Sequence, residues 1–67
     1  MSVTATDWPA DRIKGLRRFL RLYQTEFAKR LGVSTQTVQA WEAARITPGL
    51  KNLGKLDELA RSARFRP

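Results

Sequence analysis

The sequence contains no cysteine and no histidine. Their absence excludes disulfide cross-links, thiolate nucleophiles and the commonest zinc ligands, so packing alone must hold the fold together. The six Asp and Glu residues show no paired spacing suited to acid–base chemistry, which argues against an enzyme. No catalytic residue, metal site or cofactor is predicted.

Long apolar runs are also lacking. No run approaches the roughly 18 residues that a membrane-spanning helix needs, and the N-terminal residues lack the apolar stretch of a signal peptide. These absences predict a cytoplasmic protein without a membrane partner. The length of 67 residues predicts one small domain, which buries only about 60% of its unfolded surface.

Acidic residues are scarce compared with basic ones. Thirteen Lys and Arg residues against six Asp and Glu residues give a net charge of +7 and a pI near 11.2. Such an excess favours an anionic partner, either nucleic acid or a membrane surface. A membrane surface would require a strongly amphipathic basic helix. The first predicted helix meets that requirement only loosely, and residues 24–48 would remain unexplained.

Hydrophobic periodicity predicts four helices and no strand. The first helix spans about 9–22, with Asp7 as its N-cap and Pro9 in its first turn. Its inner side carries Ile13, Leu16 and Leu20, and Phe19 and Tyr23 fall at compatible positions. Its basic residues are interpreted mainly as a solvated face, from which Arg18 could reach a phosphate backbone. These basic residues are Arg12, Lys14, Arg18 and Arg21.

The second helix spans 24–31 and is stopped by Gly32, because glycine accepts the left-handed conformation found at helix ends. Tyr23 precedes it and is a poor N-cap. The third helix spans about 35–43, with Ser34 as its N-cap. Its buried face is formed by Val38 and Trp41.

A loop over 44–49 leads to the last helix, which begins after Thr47 or Gly49. The apolar stripe of that helix is Leu50, Leu53, Leu56, Leu59 and Ala60. Residues 1–6 are predicted to be a disordered segment, 7–61 the folded domain and 62–67 a basic tail. Trp8 and Phe65 are expected to pack on each other or on the helix bundle.

The stretch GVSTQTVQAW, residues 32–41, combines a short apolar face with neutral hydrogen-bonding side chains. Two short helices joined by a tight glycine-containing turn are typical of a helix-turn-helix, whose second helix enters the DNA major groove. Glutamine can pair with adenine through two hydrogen bonds, and threonine can contact the thymine methyl group. Arginine would bind any DNA, whereas these neutral side chains can discriminate between bases.

At this point the chain resembles a known family. Residues 12–60, including YQTEFAKRLGVSTQTVQAWEAARITP, are similar to the lambda repressor-like (Cro/C1-type, XRE family) helix-turn-helix domain. The resemblance implies an all-α bundle of four or five helices, with the helix-turn-helix at about 24–43. It further implies sequence-specific binding of double-stranded DNA by a transcriptional regulator, usually a repressor. Relatives of this kind act in prokaryotes or phages at the nucleoid, and usually as homodimers on palindromic DNA.

Particular residues match functional positions of the family. The resemblance assigns base reading to Thr35, Gln36, Gln39 and Ala40. It assigns phosphate contacts to Gln24, to Arg45 and to the backbone amides around Leu50 and Lys51, and Ser34 and Arg18 are further predicted phosphate contacts. Arg17 and Glu42 match a structural pair that ties helix 1 to the recognition helix.

Two departures from the family pattern affect these expectations. Ala43 and Ala44 replace the usual glycine after Trp41-Glu42, so a longer recognition helix is expected. The sequence also ends after the fourth helix, where many relatives have a fifth that supports dimerisation, which leaves the mode of dimerisation open. The alternative function is an antitoxin or co-regulator that uses the same domain to bind DNA and a protein partner.

Overall fold

The computed structural model describes residues 7–65, and the predictions for residues 1–6 and for Arg66 and Pro67 lie outside this range. Four α-helices form the fold, and no strand occurs in the described range. The helices are α1 (Ala10–Phe19), α2 (Gln24–Leu31), α3 (Thr35–Glu42) and α4 (Leu50–Ala63). The prediction of an all-α, four-helix domain with a helix-turn-helix at about 24–43 is confirmed.

One hydrophobic core joins the four helices within an envelope of 33 × 23 × 19 Å. Each helix contributes the apolar residues that recur at helical spacing, because only one side of each faces inward. The core side chains are Trp8, Ile13, Leu16, Phe27, Ala28, Leu31, Val38, Trp41, Leu56 and Ala60. Burying each large apolar side chain stabilises the fold by about 1.5–3 kcal/mol. Packing of this kind replaces the cross-links that the sequence lacks.

All four helices end with the same backbone motif. A residue with positive φ follows the last turn, and the next backbone N–H donates to a carbonyl five residues earlier, as in a Schellman motif. The residues with positive φ are Arg21, Gly32, Ala44 and Arg64, at 59°, 71°, 60° and 57°. The hydrogen bonds are Leu22 to Arg17 (3.1 Å), Val33 to Ala28 (3.0 Å), Arg45 to Ala40 (2.9 Å) and Phe65 to Ala60 (2.9 Å).

This motif explains two errors in the predicted helix boundaries. Helix α1 ends at Phe19 rather than near residue 22, because Arg21 turns the chain into the left-handed conformation. Tyr23 therefore lies outside α1 and is 79% exposed, and Phe19 is exposed as well. Helix α3 ends at Glu42 and is not lengthened, since Ala44 adopts the positive φ that a glycine would have adopted.

The helix N-termini differ from one another. Ser34 caps α3 as predicted, its hydroxyl accepting from the Thr37 N–H at 3.1 Å. Asp7 does not cap α1, because Pro9 occupies the N-cap position and supplies no side-chain hydrogen bond. At α2 the Glu26 carboxylate accepts from the Tyr23 N–H at 2.9 Å, which partly compensates for the missing cap side chain.

Helix α4 begins at Leu50, after Gly49, which agrees with the second of the two predicted starts. Leu50 does not belong to the buried stripe: it is 82% exposed at the first position of the helix, and Pro48 is buried at this end instead. The rest of the stripe is placed as predicted. Leu56 and Ala60 are buried, and Leu53 and Leu59 pack against the core.

The two ends of the described chain meet. The rings of Trp8 and Phe65 stack with centroids 6.4 Å apart, and the Trp8 Nε1–H donates to the Asp57 carboxylate at 2.8 Å. The Arg12 guanidinium lies over the Trp8 ring, 4.0 Å from its centroid, so Arg12 is not part of a solvated face. Helix α4 continues to Ala63, two residues beyond the predicted end of the folded domain.

Candidate nucleic-acid interface

Helix α3 has two chemically different sides. Val38, Trp41 and Glu42 are buried on the inner side. At 3.6 residues per turn, positions 35, 36, 39 and 40 share the opposite side. Gln36 and Gln39 are exposed there, and no side-chain hydrogen bond within residues 7–65 involves either. The other two predicted base-reading residues, Thr35 and Ala40, are half-buried beside them.

The turn between α2 and α3 consists of Gly32, Val33 and Ser34. The positive φ of Gly32 ends α2 and lets the chain change direction within this short span, and the half-buried Val33 packs against the core. Ala28, 2% exposed in α2, is small enough to allow close helix packing at this point. Helix α3 therefore packs closely against α2, while Gln36 and Gln39 on its outer side remain exposed.

Ser34 was predicted to contact phosphate, and its hydroxyl already acts in the helix cap. Its Oγ lies 2.9 Å from the Thr37 Oγ1, in a hydrogen bond that either hydroxyl can donate. When Thr37 donates, the Ser34 hydroxyl proton is free for an outside acceptor. The cap and a contact to an anion are therefore compatible.

The predicted pair between Arg17 and Glu42 is present and connects α1 to α3. Arg17 Nε and Nη2 donate to the two carboxylate oxygens of Glu42 at 2.7 and 3.0 Å. The Glu42 side chain is only 4% exposed and that of Arg17 16% exposed. The hydrogen bond to Glu42, reinforced by its charge, raises the pKa of Arg17 above the ordinary value although burial opposes it. Arg17 therefore remains cationic.

Gln24 belongs to the same network. Its Nε2–H donates to a Glu42 carboxylate oxygen at 3.2 Å, and Arg17 Nη1 donates to the Leu22 carbonyl at 3.0 Å. The network thus joins α1, the start of α2 and the end of α3. The amide oxygen of Gln24 and its second N–H are not used in this bond, so the residue predicted to contact phosphate is oriented by the scaffold.

The loop after α3 and the start of α4 carry the other predicted phosphate residues. Arg45 and Lys51 are exposed. Gly49 is the N-cap of α4 and offers no side chain to the first-turn amides of Leu50 and Lys51. Unfilled amides at a helix N-terminus favour an anion through their hydrogen bonds and the helix dipole.

A shallow cleft of about 360 Å³ separates α1 from α3. It brings three predicted residues together, Arg18, Gln24 and Gln39. It also includes Lys14, which the sequence analysis assigned to a solvated face. The spacing of Lys14 and Arg18, four residues apart on a helix, was the signal available for pairing them. Arg45, Leu50 and Lys51 lie outside this cleft.

Two other features, a metal site and a membrane-spanning helix, are absent from the described residues. Within residues 7–65, no group of three or more acidic side chains is arranged to hold a metal ion. None of the helices in that range has the length and apolar character required to cross a membrane.

A family model for the helix-turn-helix matches residues 13–61, which is most of the chain and extends from α1 into α4. The chain belongs to the Cro/C1-type (XRE) helix-turn-helix family. It is a DNA-binding helix-turn-helix regulator, and the family is regulatory rather than enzymatic. No curated protein and no solved structure gives a significant match to the chain.

Proposed function

We propose that this regulator recognises a specific sequence in double-stranded DNA with α3 in the major groove, and that it represses transcription. One observation carries the proposal. The inner side of α3 is fixed by Trp41 and by the Glu42 ion pair, while Gln36 and Gln39 on the outer side remain exposed. Because its inner side is fixed, α3 holds these neutral hydrogen-bonding side chains in a defined position on the domain surface.

The chemistry of the outer side suits base recognition. Gln36 and Gln39 can each form two hydrogen bonds with the N6 and N7 edge of an adenine. Thr35 can donate a hydroxyl or contact the thymine methyl group, and Ala40 can contact the same methyl group. We therefore expect these four residues to contact bases, with the two glutamines contributing most of the discrimination.

Phosphate contacts would orient the domain on the duplex. Ser34 lies at the N-terminus of α3, and Gln24 lies beside its last residue, Glu42. Arg45 follows the last turn of α3. The first-turn amides of α4 at Leu50 and Lys51 supply a second anion-binding position. Arg18 lines the cleft beside Gln39, which places a positive charge close to the base-reading helix.

Repression follows from occupation of the groove. A domain bound tightly in the major groove excludes other proteins from the same base pairs, whereas activation requires a further productive contact. We propose that two copies bind a palindromic operator, so that two α3 helices enter successive major grooves about 34 Å apart.

Selection of bound duplexes from a random DNA pool tests the proposal. We expect enrichment of a discrete motif, and of two inverted half-sites roughly 10 base pairs apart if two copies bind. Recovery of random sequence after several rounds, although DNA is retained, would contradict sequence-specific recognition. Enrichment of a single half-site would support recognition and contradict the paired arrangement.

A further inference from the structure

We propose that Lys14 and Arg18 of α1 form one phosphate-binding site at the mouth of the cleft between α1 and α3. The site holds the backbone of the DNA strand that passes beside α3. This inference rests on the proposed binding of DNA through α3. It adds Lys14, and the joint action of the two cations, to the contacts described above.

The geometry brings both cations to one place. Lys14 and Arg18 are four residues apart on α1, so their Cβ atoms are about 5–6 Å apart. Both line the cleft of about 360 Å³ whose other wall includes Gln39 of α3 and Ala43, the residue that follows α3. Two long cationic side chains at this spacing can reach a single phosphate or two neighbouring ones.

The electrostatics leave this pair free for an anion. Arg17 also lines the cleft, and its charge is balanced by the buried carboxylate of Glu42. Within residues 7–65, the Arg17–Glu42 contact is the one ion pair closer than 4.0 Å. Lys14 and Arg18 therefore carry positive charge that is not paired with a carboxylate within 4.0 Å, and the Glu42 carboxylate in the same cleft is already paired with Arg17. A polyanionic strand that supplies phosphates at this edge would balance it.

The position of the site defines its role. Gln39 lies on the wall opposite the two cations, so a phosphate bound there lies next to the base-reading side of α3. Such a phosphate would set how deeply α3 enters the groove. Because every sequence has the same backbone, the site contributes affinity to all duplexes and does not discriminate between them.

The experiment compares two double variants that remove the same number of charges. Lys14→Gln/Arg18→Gln removes the proposed site. Arg30→Gln/Arg61→Gln is the matched control, because these two arginines are exposed and line other clefts. The affinity of each variant for the selected operator and for a random duplex is measured over a series of salt concentrations. Far-UV circular dichroism confirms that each variant is folded.

We expect the Lys14/Arg18 variant to bind both DNAs about tenfold more weakly than the unaltered protein at about 50 mM salt. The slope of log affinity against log salt should decrease by about 0.9 for each phosphate that the variant no longer neutralises. The ratio of operator to random affinity should not change. Lys14→Gln alone should weaken both complexes more than Arg30→Gln alone, which separates the contribution of Lys14 from that already proposed for Arg18.

Two other outcomes have different meanings. If both double variants show equal decreases in affinity and slope, the α1 site is refuted, while selective binding by the unaltered protein still supports the proposed function. If the unaltered protein does not bind duplex DNA even at the lowest salt, the proposed function itself is contradicted, and the α1 site with it.

Discussion

Arg17 and Glu42, 25 residues apart in the chain, form a bidentate ion pair with N–O distances of 2.7 and 3.0 Å. The pair joins α1 to the last residue of α3, and Gln24 at the start of α2 adds a third donor. A buried carboxylate with three donors is well satisfied, whereas the same carboxylate without its cation is costly. The orientation of α3 against α1 therefore depends on this contact.

Replacing Arg17 should be much more damaging than replacing its neighbour. Arg17→Met leaves the Glu42 carboxylate buried without its cation, and we expect a loss of about 3 kcal/mol in the free energy of unfolding. Arg18→Met on the exposed side should change stability by less than about 0.5 kcal/mol. Urea denaturation measures both. Equal losses for the two variants would show that the ion pair contributes nothing beyond a surface contact.

Ala44 offers a site for stabilisation. At φ 60° the Cβ atom of a non-glycine residue crowds the backbone, which costs about 1–2 kcal/mol, and glycine has no Cβ. After allowing for the greater flexibility of glycine in the unfolded chain, Ala44→Gly should stabilise the domain by about 0.5–1 kcal/mol. Thermal unfolding should show a rise in Tm of about 4 °C.

Ala43 provides the control for this substitution. Its φ of −88° is a conformation that alanine adopts without strain, so Ala43→Gly removes no steric strain. The greater backbone entropy of glycine in the unfolded chain should then destabilise the domain by about 0.5–1 kcal/mol. If both glycine variants shift Tm in the same direction, the left-handed conformation of Ala44 is not the cause.

Trp41 is buried in the core and 2% exposed, so its removal should unfold the domain. Truncation of a buried aromatic residue to alanine costs about 3–5 kcal/mol, which matches the whole stability expected of a domain this small. Circular dichroism should show loss of helicity in Trp41→Ala and none in Tyr23→Ala, whose side chain is exposed. A Trp41→Ala protein with full helicity would contradict a structural role for the residue.

Base-reading and phosphate-binding residues should differ in their dependence on DNA sequence. Gln36→Ala or Gln39→Ala should cost about 1–3 kcal/mol on the selected operator and little on random DNA. Arg45→Ala or Lys51→Ala should weaken both complexes about equally. Binding titrations with the two DNAs separate these patterns. Equal losses on both DNAs for the glutamine variants would show that α3 does not read the sequence.

Local features of the chain were predictable from the sequence because they depend on neighbouring residues. The limits of α2 follow from Gly32 and from the apolar spacing, and the start of α3 follows from Ser34. Trp41 was placed in the core by the same periodicity. The end of α1 was missed because the turn uses an arginine, Arg21, where sequence patterns indicate a stop chiefly by glycine.

Apart from the packing of Trp8 against Phe65, contacts between distant parts of the chain were accessible only where a family pattern named them. The resemblance supplied the pair of Arg17 and Glu42, but periodicity alone could not have matched residues 25 positions apart. The hydrogen bond from Trp8 to Asp57 had no counterpart in the sequence analysis. Such contacts depend on the angles at which the helices pack, and these angles are a property of the whole core.

The sequence by itself determined the helix count, the inner faces and the neutral outer side of α3, because each follows from spacing along a single helix. Only the tertiary structure decided that Leu50 is exposed and that Lys14 shares a cleft with Gln39. A side chain on the outer side of a helix can face water or a second helix, and its own periodicity is the same in both cases. The crossing of α1 and α3, fixed by their shared core, settles which of the two occurs.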